Sequence, residues 1–243
     1  MFLKPVVNHH IYTASLSDIT FVTKCIINTI NPHSYCEAKK DSLFAEALLS
    51  SDVLLPDGSG IVLATKILTD KKINKIAGAD IHQYLLEQAH LKIQKVFYLG
   101  ASVSTLRLIE KRIQRDFPNI KVGSFSPPFK AQFSNEETQI MLDKINGFQP
   151  DILFVGMTAP KQEKWVYTNQ NQINANVIAS IGAVFDFYAG TVKRSSPFWI
   201  SLGLEWLPRL IRDPKRLWKR NFISTPKFIV EIIWNKLFGH GIL

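Results

Sequence analysis

The stretch Lys95-Val96-Phe97-Tyr98-Leu99-Gly100-Ala101-Ser102 decides the fold, because a short apolar run ends at a glycine and leads straight into an amphipathic segment. The run predicts a strand over 95–99, and the residues after it predict a helix over 103–116. A second β-branched run follows at 120–124. Strand, helix and strand in this order are typical of a parallel sheet with covering helices.

The same alternation continues on both sides of this unit. The pattern predicts strands at 25–31, 52–55, 95–99, 120–124, 151–156 and 177–181. It predicts helices at 34–50, 59–68, 79–91, 103–116, 135–148, 160–173 and near 184–189. Ser134 before two glutamates suits a helix cap, and Pro160 suits a first helical position. The fold class is therefore α/β, a Rossmann-like, mostly parallel sheet flanked by helices.

Four of the predicted strands end at conspicuous turns. These are Asn31-Pro32-His33, Pro56-Asp57-Gly58, Gly100-Ala101-Ser102 and the run Gly156-Met157-Thr158-Ala159-Pro160. Ligands of open parallel sheets bind beyond the carboxyl ends of the strands. We therefore expect the four turns to share one cleft.

The last part of the chain has a different composition. From residue 191 to 243 there are ten Lys or Arg against three acids, which is +7 of the chain's net charge of +9, and four of its five tryptophans. We place a boundary at Gly190, with a core over 1–190 and a basic, Trp-rich helical appendage over 191–243. Pro214 predicts a break, and a last helix should run to about residue 238. We expect a surface that meets an anionic, partly apolar partner, with rings at the interface from Trp218, Phe222, Phe228, Trp234 and Phe238.

Composition narrows the class of protein. The chain of 243 residues is 46% hydrophobic and 20% charged, which is ordinary for a globular protein. Cys25 and Cys36 form no disulfide framework, so both are predicted to be reduced thiols. We find no signal peptide, no run long enough to span a bilayer and no nucleic-acid motif. The sequence thus predicts a cytoplasmic protein that binds the membrane peripherally.

Asp57 is the first candidate for chemistry, since its turn presents a carboxylate at a strand end. It could be a general base that accepts a proton from a hydroxyl, or it could cap the helix that follows. The residues Gly58, Ser59 and Gly60 could bring backbone N–H groups to an anion. The turn at Gly100 is of the same kind, and a plain tight turn is its alternative.

The segment Lys161-Gln162-Glu163 comes in the first turn of a helix that directly follows a strand. A lysine there can meet a phosphate and a glutamine amide can bind a sugar or a leaving oxygen, although a solvated first turn explains them as well. Thr29 and Asn31 are polar residues at the end of an apolar strand and could line the same cleft. Neither an Asp-x-Asp element nor a ligand spacing of histidines is present, so no metal and no cofactor are predicted. Without a metal, cations of the tail would have to neutralise the charge of a diphosphate. Four arginines of the tail recur at three- and four-residue spacing and would share one face of a helix. They are Arg209, Arg212, Arg216 and Arg220.

These segments resemble the WecG/TagA/CpsF family of bacterial glycosyltransferases, glycosyltransferase family 26, in order from about residue 26 to 220. The distinctive runs are Pro160-Lys161-Gln162-Glu163 and Gly203-Leu204-Glu205-Trp206-Leu207-Pro208-Arg209-Leu210. The other matching runs are Thr29-Ile30-Asn31-Pro32, Pro56-Asp57-Gly58-Ser59-Gly60, Gly78-Ala79-Asp80, Tyr98-Leu99-Gly100, Ile181-Gly182-Ala183-Val184-Phe185-Asp186 with Ala189-Gly190, and Lys193-Arg194. Two features depart from the family: His33 stands where an acid often follows Asn-Pro, and Lys193-Arg194-Ser195-Ser196-Pro197 is one residue longer than usual.

The resemblance implies an inverting, metal-independent transfer of a sugar from a UDP donor to a sugar on a polyprenyl diphosphate, in the synthesis of bacterial cell-surface polysaccharide. It implies Asp57 as the base, with Gln162 and Arg209 as further catalytic residues. The substrate-binding residues expected from the motifs and their neighbours are Thr29, Asn31, Gly58, Ser59, Gly60, Gly100, Lys161, Glu163, Lys193, Arg194, Arg216 and Arg220.

The donor sugar stays open among N-acetylmannosamine, its uronic acid, glucuronic acid and glucose, and a homo-oligomer stays open as well. Two other functions compete with the transferase. One is a basic peripheral scaffold without catalysis, in which Asp57 only caps a helix. The other is a Rossmann enzyme that modifies nucleotide sugars, although the chain has no Gly-x-Gly-x-x-Gly fingerprint.

Overall fold

Six parallel strands form one sheet, as the sequence predicted. A computed structural model describes residues 11–21, 24–193, 195–196, 198–199 and 206–238, with only the backbone described at Arg209, Arg212 and Arg216. The strands in this part of the chain are β1 (Cys25–Ile30), β2 (Val53–Pro56), β3 (Lys95–Gly100), β4 (Lys121–Phe125), β5 (Ile152–Gly156) and β6 (Val177–Ser180). Their order in the sheet is β2-β1-β6-β5-β3-β4.

Helices connect and cover the strands. The helices that the structure describes are α1 (Pro32–Ala38), α2 (Ser42–Leu49), α3 (Ser59–Thr69), α4 (Gly78–Leu91), α5 (Val103–Asp116), α6 (Asn135–Phe148), α7 (Lys161–Asn169), α8 (Val184–Ala189), α9 (Trp206–Arg212), α10 (Pro214–Lys219) and α11 (Thr225–Phe238). A π-helical turn over Arg220–Ser224 joins α10 to α11. The predicted cap of α6 is confirmed, because Ser134 Oγ accepts from the Glu137 amide at 3.2 Å.

Both faces of the sheet are buried, which explains why its strands read as continuous apolar runs. Helices α4, α5 and α8 pack on one face, where Tyr98 and Phe154 are fully buried. Helices α6 and α7 cover the other face around Leu153. Helices α1, α2, α3 and α11 continue that second layer around Ile30 and Leu54, at the end of the sheet formed by β1 and β2.

The single helix predicted over 34–50 is wrong, because the structure has two helices there. Asp41 separates them and caps α2, since its Oδ1 accepts from the Phe44 amide at 3.0 Å. Asp41 also accepts from Lys164 Nζ at 2.7 Å, which ties the start of α2 to α7. The first helix starts early, at Pro32, because Asn31 ends the strand and acts as the cap of α1. The helix predicted over 160–173 ends at Asn169.

The last helix packs into the body of the protein. Phe228 is 0% exposed and stands edge-on to Tyr35, with ring centroids 5.1 Å apart. Glu231 accepts from the Tyr35 hydroxyl at 2.7 Å and pairs with Lys39 at 2.6 Å. The expectation that Phe228 would face an interface is therefore wrong. The boundary at Gly190 stays a prediction, but α11 contributes to the same apolar layer as α1 and α3.

The other four rings named for the interface lie on the surface. Each is more than half exposed, and they form two pairs four residues apart along the chain. Trp218 and Phe222 have centroids 5.1 Å apart, and Trp234 and Phe238 have centroids 4.4 Å apart. Among the described residues, no helix combines the length and the apolar character that crossing a bilayer requires.

Candidate active site

The predicted turns lie along one edge of the sheet, since all six strands are parallel. In spatial order this edge carries Asp57 after β2, Asn31 after β1, Gly182 after β6, Met157 after β5 and Ala101 after β3. Neighbouring strands are about 5 Å apart, so these turns span roughly 20 Å. After β3 the chain continues to β4, on one side of the sheet, and after β5 it continues to β6, on the other side. The junction between β3 and β5 is therefore a topological switch point.

Asp57 extends the ladder between β1 and β2. Its backbone N–H donates to the Ile30 carbonyl at 2.9 Å, directly after the pairing of Ile30 with Pro56. The residue is half-buried. Asp57 stands one residue before the cap of α3, which is Gly58. Both roles of Asp57, as a base and as a cap, stay predictions, and the residue lies at the carboxyl end of β2 beside the end of β1.

Asn31, at the end of β1, caps helix α1. Its Oδ1 accepts from the amides of His33 at 3.0 Å and Ser34 at 3.1 Å. The cap uses the oxygen, so the amide Nδ2 is the group that remains for a ligand. Thr29 is half-buried and pairs with Leu55 two residues earlier in the strand. Of the two predicted lining residues, Asn31 is the one at the end of the strand beside Asp57.

The glycines of the two predicted turns differ in what they do. Gly58 has φ +97° with open space around its α-carbon, so the glycine is needed for the backbone conformation alone. Gly60 is a packing residue, because a β-carbon there would come within 2.5 Å of Pro32 Cγ. Gly100 combines φ +123° with a close approach, since its β-carbon would meet the Gly156 carbonyl oxygen at 2.3 Å. Ser59 is exposed at the first turn of α3.

Lys161 is held by a neighbouring loop. Its Nζ donates to the Lys130 carbonyl at 2.7 Å and lies 4.5 Å over the Phe133 ring. Partial burial lowers the pKa of this amine. The loop that it holds follows β4 and is also fixed by Ser126, whose Oγ donates to the Ala101 carbonyl at 2.7 Å. Lys161 thus links the edge of the sheet at β3 to the start of α7.

Gln162 and Glu163 are buried, at 4% and 3% exposure. Gln162 Oε1 accepts from the Met157 amide at 3.1 Å, and its Nε2 donates to Glu163 Oε1 at 2.9 Å. Burial raises the pKa of the Glu163 carboxyl to about 7. Both side chains are buried at the turn that follows β5, and their predicted contact with substrate stays a prediction.

The tail reaches the site through its π-helical turn. His33, two residues after the cap at Asn31, has its Nδ1 2.9 Å from Ser224 Oγ. Burial lowers the pKa of His33; Glu37 opposes this effect, while the nearby positive charge of Arg220 adds to it. Arg220 is half-buried. Among the predicted tail cations with described side chains, Arg220 is therefore the one that the structure brings to the turn after β1.

The structure describes fewer contacts for the other predicted tail residues. Lys193 is exposed, Arg194 lies outside the described residues, and only the backbone of Arg209 and Arg216 is described. Helices α9 and α10 are separate, with Asp213 between them, so the four arginines do not follow one continuous helix. In the part of the chain that the structure describes, no cluster of three or more His, Cys, Asp or Glu side chains suits a metal ion.

The sequence did not predict the contacts that hold the tail against the turn after β1. His33 and Tyr35 on α1, with Lys39 directly after it, contact Ser224 and Glu231 across about 190 residues of chain. The alternation of apolar positions gives no sign of such pairs. The only available signal was the i, i+2 and i+6 spacing of polar groups on α1, which is too general to identify partners.

The edge of the sheet thus combines a half-buried carboxylate, an amide with free donor capacity, backbone turns at two glycines and a cation carried by the tail. A carboxylate can accept a proton from a hydroxyl, and cations and amides can hold an anionic leaving group. Acid–base chemistry on a phosphate-bearing substrate is what this arrangement can support.

Comparison with known proteins agrees with this chemistry. A protein of Bacillus spizizenii is 32% identical over 207 residues, which is 85% of this chain and 78% of the relative. One of Bacillus subtilis is 32% identical over 208 residues, covering 86% and 78%, and one of Staphylococcus aureus is 30% identical over 206 residues, covering 85% and 78%. Each is named N-acetylglucosaminyldiphosphoundecaprenol N-acetyl-beta-D-mannosaminyltransferase. Residues 9–241 match the model of the glycosyl transferase WecG/TagA/CpsF family, and the chain belongs to that family.

Proposed function

We propose that this glycosyltransferase moves a sugar of the N-acetylmannosamine type from a UDP donor to a saccharide carried on a polyprenyl diphosphate. The observation that carries the proposal is the adjacency of Asp57 and Asn31 at the carboxyl ends of β2 and β1, next to the turn where His33 contacts Ser224 of the tail. The relatives add the substrate class, because their names describe transfer of N-acetyl-β-D-mannosamine to lipid-linked N-acetylglucosamine.

The proposed step is a single displacement. Asp57 takes the proton of the acceptor hydroxyl as that oxygen forms a bond to C1 of the donor sugar. The bond between C1 and the phosphate oxygen breaks, and its electron pair leaves with UDP. Attack from the face opposite UDP inverts the configuration at C1. No metal ion takes part in this proposal, so the leaving charge must be met by backbone N–H groups and by tail cations such as Arg209 and Arg220.

The donor list derived from the sequence becomes shorter. Glucose and glucuronic acid share neither the acetamido group nor the configuration that the relatives' names specify. A donor with an N-acetylated sugar of the manno configuration fits those names best. The acceptor by the same reasoning is N-acetylglucosamine on a polyprenyl diphosphate.

The proposal includes peripheral binding at the inner face of the cytoplasmic membrane. Its support is the exposure of Trp218, Phe222, Trp234 and Phe238 beside the exposed amines of Lys219 and Lys227. Rings of this kind enter the headgroup layer, and each cation adds about 1 kcal/mol of attraction to anionic lipid. A surface of this kind would bring the enzyme to an acceptor that never leaves the bilayer.

A donor panel tests the proposal directly. The protein is mixed with UDP-N-acetylmannosamine, its uronic acid, UDP-glucuronate or UDP-glucose, together with a short-chain lipid diphosphate that bears N-acetylglucosamine, and released UDP is measured. We expect release that requires both substrates and is fastest with UDP-N-acetylmannosamine. Absence of release with every donor would favour the non-catalytic scaffold, and bound nicotinamide absorbance would favour the nucleotide-sugar-modifying enzyme.

A further inference from the structure

Glu163 is a buried acid that the proposed transfer does not use. Its Oε1 accepts from Gln162 Nε2 at 2.9 Å, and its Oε2 is buried with no hydrogen-bond partner in the described residues. A buried carboxyl group with an unpaired oxygen is costly. Its presence in the first turn of α7, directly behind the edge of the sheet, calls for a reason other than core stability.

The reason lies in what Gln162 contacts. Gln162 Oε1 accepts from the amide of Met157, the first residue after β5. Gly182, in the turn after β6, has φ +51°, and a β-carbon there would lie 3.4 Å from Gln162 Oε1 and 3.5 Å from the Met157 carbonyl. Gln162 therefore fills the space between the turns that follow β5 and β6, and it fixes the first of them through a hydrogen bond.

Glu163 determines which way round the Gln162 amide lies. An acceptor at position 163 requires the NH₂ end of the amide to face it, which leaves the oxygen to face the Met157 amide. Without that acceptor the amide can rotate, and the Met157 N–H can lose its partner. Only the oxygen of residue 163 is needed for this effect, so a neutral amide should serve as well as a carboxyl group.

We propose that Glu163 is a positioning residue for donor binding, which acts through Gln162 on the turn over residues 157–160. This turn borders the switch point between β5 and β3, where the missing β-carbon of Gly100 allows close approach of the Gly156 backbone. The inference rests on the proposed use of a UDP donor. It replaces the direct substrate contact expected from the sequence with an indirect role for both side chains.

Three variants test the proposal with the full-length protein. Glu163→Met removes the acceptor while keeping a long unbranched side chain, Glu163→Gln keeps an acceptor, and Glu136→Met is the matched control at an exposed glutamate in the first turn of α6. Two properties are measured, which are hydrogen exchange at the Met157 amide and the affinity for UDP by calorimetry. Neither depends on turnover.

We expect Glu163→Met to speed exchange at Met157 at least about fivefold, which is the usual net worth of one hydrogen bond. The affinity for UDP should fall about tenfold, because a misplaced turn loses contacts to the diphosphate. In the steady state, the donor KM should rise more than kcat falls. Glu163→Gln and Glu136→Met should stay within about twofold of the wild type in each property.

Unchanged exchange at Met157 in Glu163→Met would overturn the proposal, and so would unchanged affinity for UDP. Equal losses in Glu163→Gln and Glu163→Met would also overturn it, since the carboxyl group itself would then matter. Should Glu163→Met fail to fold, Gln162→Met removes the hydrogen bond to the Met157 amide directly. A wild-type protein that binds UDP but transfers no sugar would contradict the proposed function and leave the link from Glu163 to Met157 standing.

Discussion

The backbone N–H of Asp57 donates to the carbonyl of Ile30 at 2.9 Å, which places Asp57 next to Asn31 at the end of the β1–β2 ladder. Asp57 and Asn31 come from turns of the chain and are 26 positions apart in the sequence. Their adjacency follows from the register of β1 and β2, because a slip of one residue would turn the Asp57 side chain to the other face of the sheet. The site is therefore built by the sheet, and the helices that follow each strand set its walls.

Asn31 should have separable roles in stability and in transfer. Asn31→Ala removes the cap of α1 and should lower the free energy of unfolding by about 1 kcal/mol. Asn31→Asp keeps a capping oxygen, so its stability should match the wild type in urea unfolding. It adds negative charge beside Asp57 and the donor diphosphate, so turnover should fall at least about tenfold. Full activity of Asn31→Asp would show that Asn31 serves only the helix.

Two phenylalanines of the tail should respond in opposite ways. Phe228→Ala empties a fully buried site and should cost about 3–5 kcal/mol of unfolding free energy. Phe222, at 52% exposure, should leave stability nearly unchanged when replaced by alanine. Its loss should instead weaken binding to vesicles that contain anionic lipid by about tenfold, the amount expected from one ring leaving the headgroup layer.

The measurement is co-sedimentation with vesicles beside urea unfolding of both variants. Wild-type vesicle binding by Phe222→Ala and by Trp218→Ala would contradict the role of this surface. Removal of residues 191–243 is a poorer test, because it would also uncover the apolar layer around Tyr35 and Leu54.

The stability of the protein should depend on the protonation of Glu163. Its pKa is raised by burial to about 7 from a usual 4.5, so the folded state binds this proton more tightly than the unfolded state. The stabilisation is complete below about pH 4.5 and is lost as the pH rises through 7, and the loss is on the order of 3 kcal/mol. Glu163→Gln should show none of this component.

Urea unfolding of wild type and Glu163→Gln between pH 4.5 and 8 measures this effect as a difference. Buried His82, whose pKa is lowered to about 3 by burial, contributes the opposite slope in both proteins, so subtraction removes it. Parallel stability curves for the two proteins would show that Glu163 does not carry a bound proton in the folded state.

Gly100 should be intolerant of any side chain. Gly100→Ala places a β-carbon 2.3 Å from the Gly156 carbonyl oxygen in a backbone conformation with φ +123°, so it should lower the unfolding free energy by at least about 2 kcal/mol. Gly147→Ala is the matched control. It lies within α6 with open space around it and should raise stability by about 0.5–1 kcal/mol. Equal thermal midpoints for the two variants would contradict this account of the β3–β5 junction.

The sheet and its turns could be predicted from the sequence, because strands that are buried on both faces leave a clear apolar pattern. Asp57 and Asn31 could be named from that pattern, since parallel strands bring their carboxyl ends to one edge. The break at Asp41 was missed because the apolar spacing of α1 and α2 continues across it. The cap that Asp41 provides to the Phe44 amide marks the break, and the ion pair with Lys164 on another helix holds Asp41 in place.

Burial of the side chains at the site could not be predicted in the same way. Gln162 and Glu163 read as a polar first turn, yet both are covered by the turns after β5 and β6. Phe228 has the same sequence context as Phe222, and only the packing of α11 on α1 and α3 distinguishes them. These are properties of tertiary contact, which local sequence does not encode.

The most direct test of the central claim is turnover of Asp57→Asn with UDP-N-acetylmannosamine and a lipid-linked N-acetylglucosamine acceptor. Asp143→Asn, at an exposed position on α6, is the control. The account predicts a loss of about 10²–10⁴-fold in kcat for Asp57→Asn, with UDP affinity and the Asp143→Asn enzyme unchanged. An Asp57→Asn enzyme that transfers sugar at the wild-type rate would contradict it.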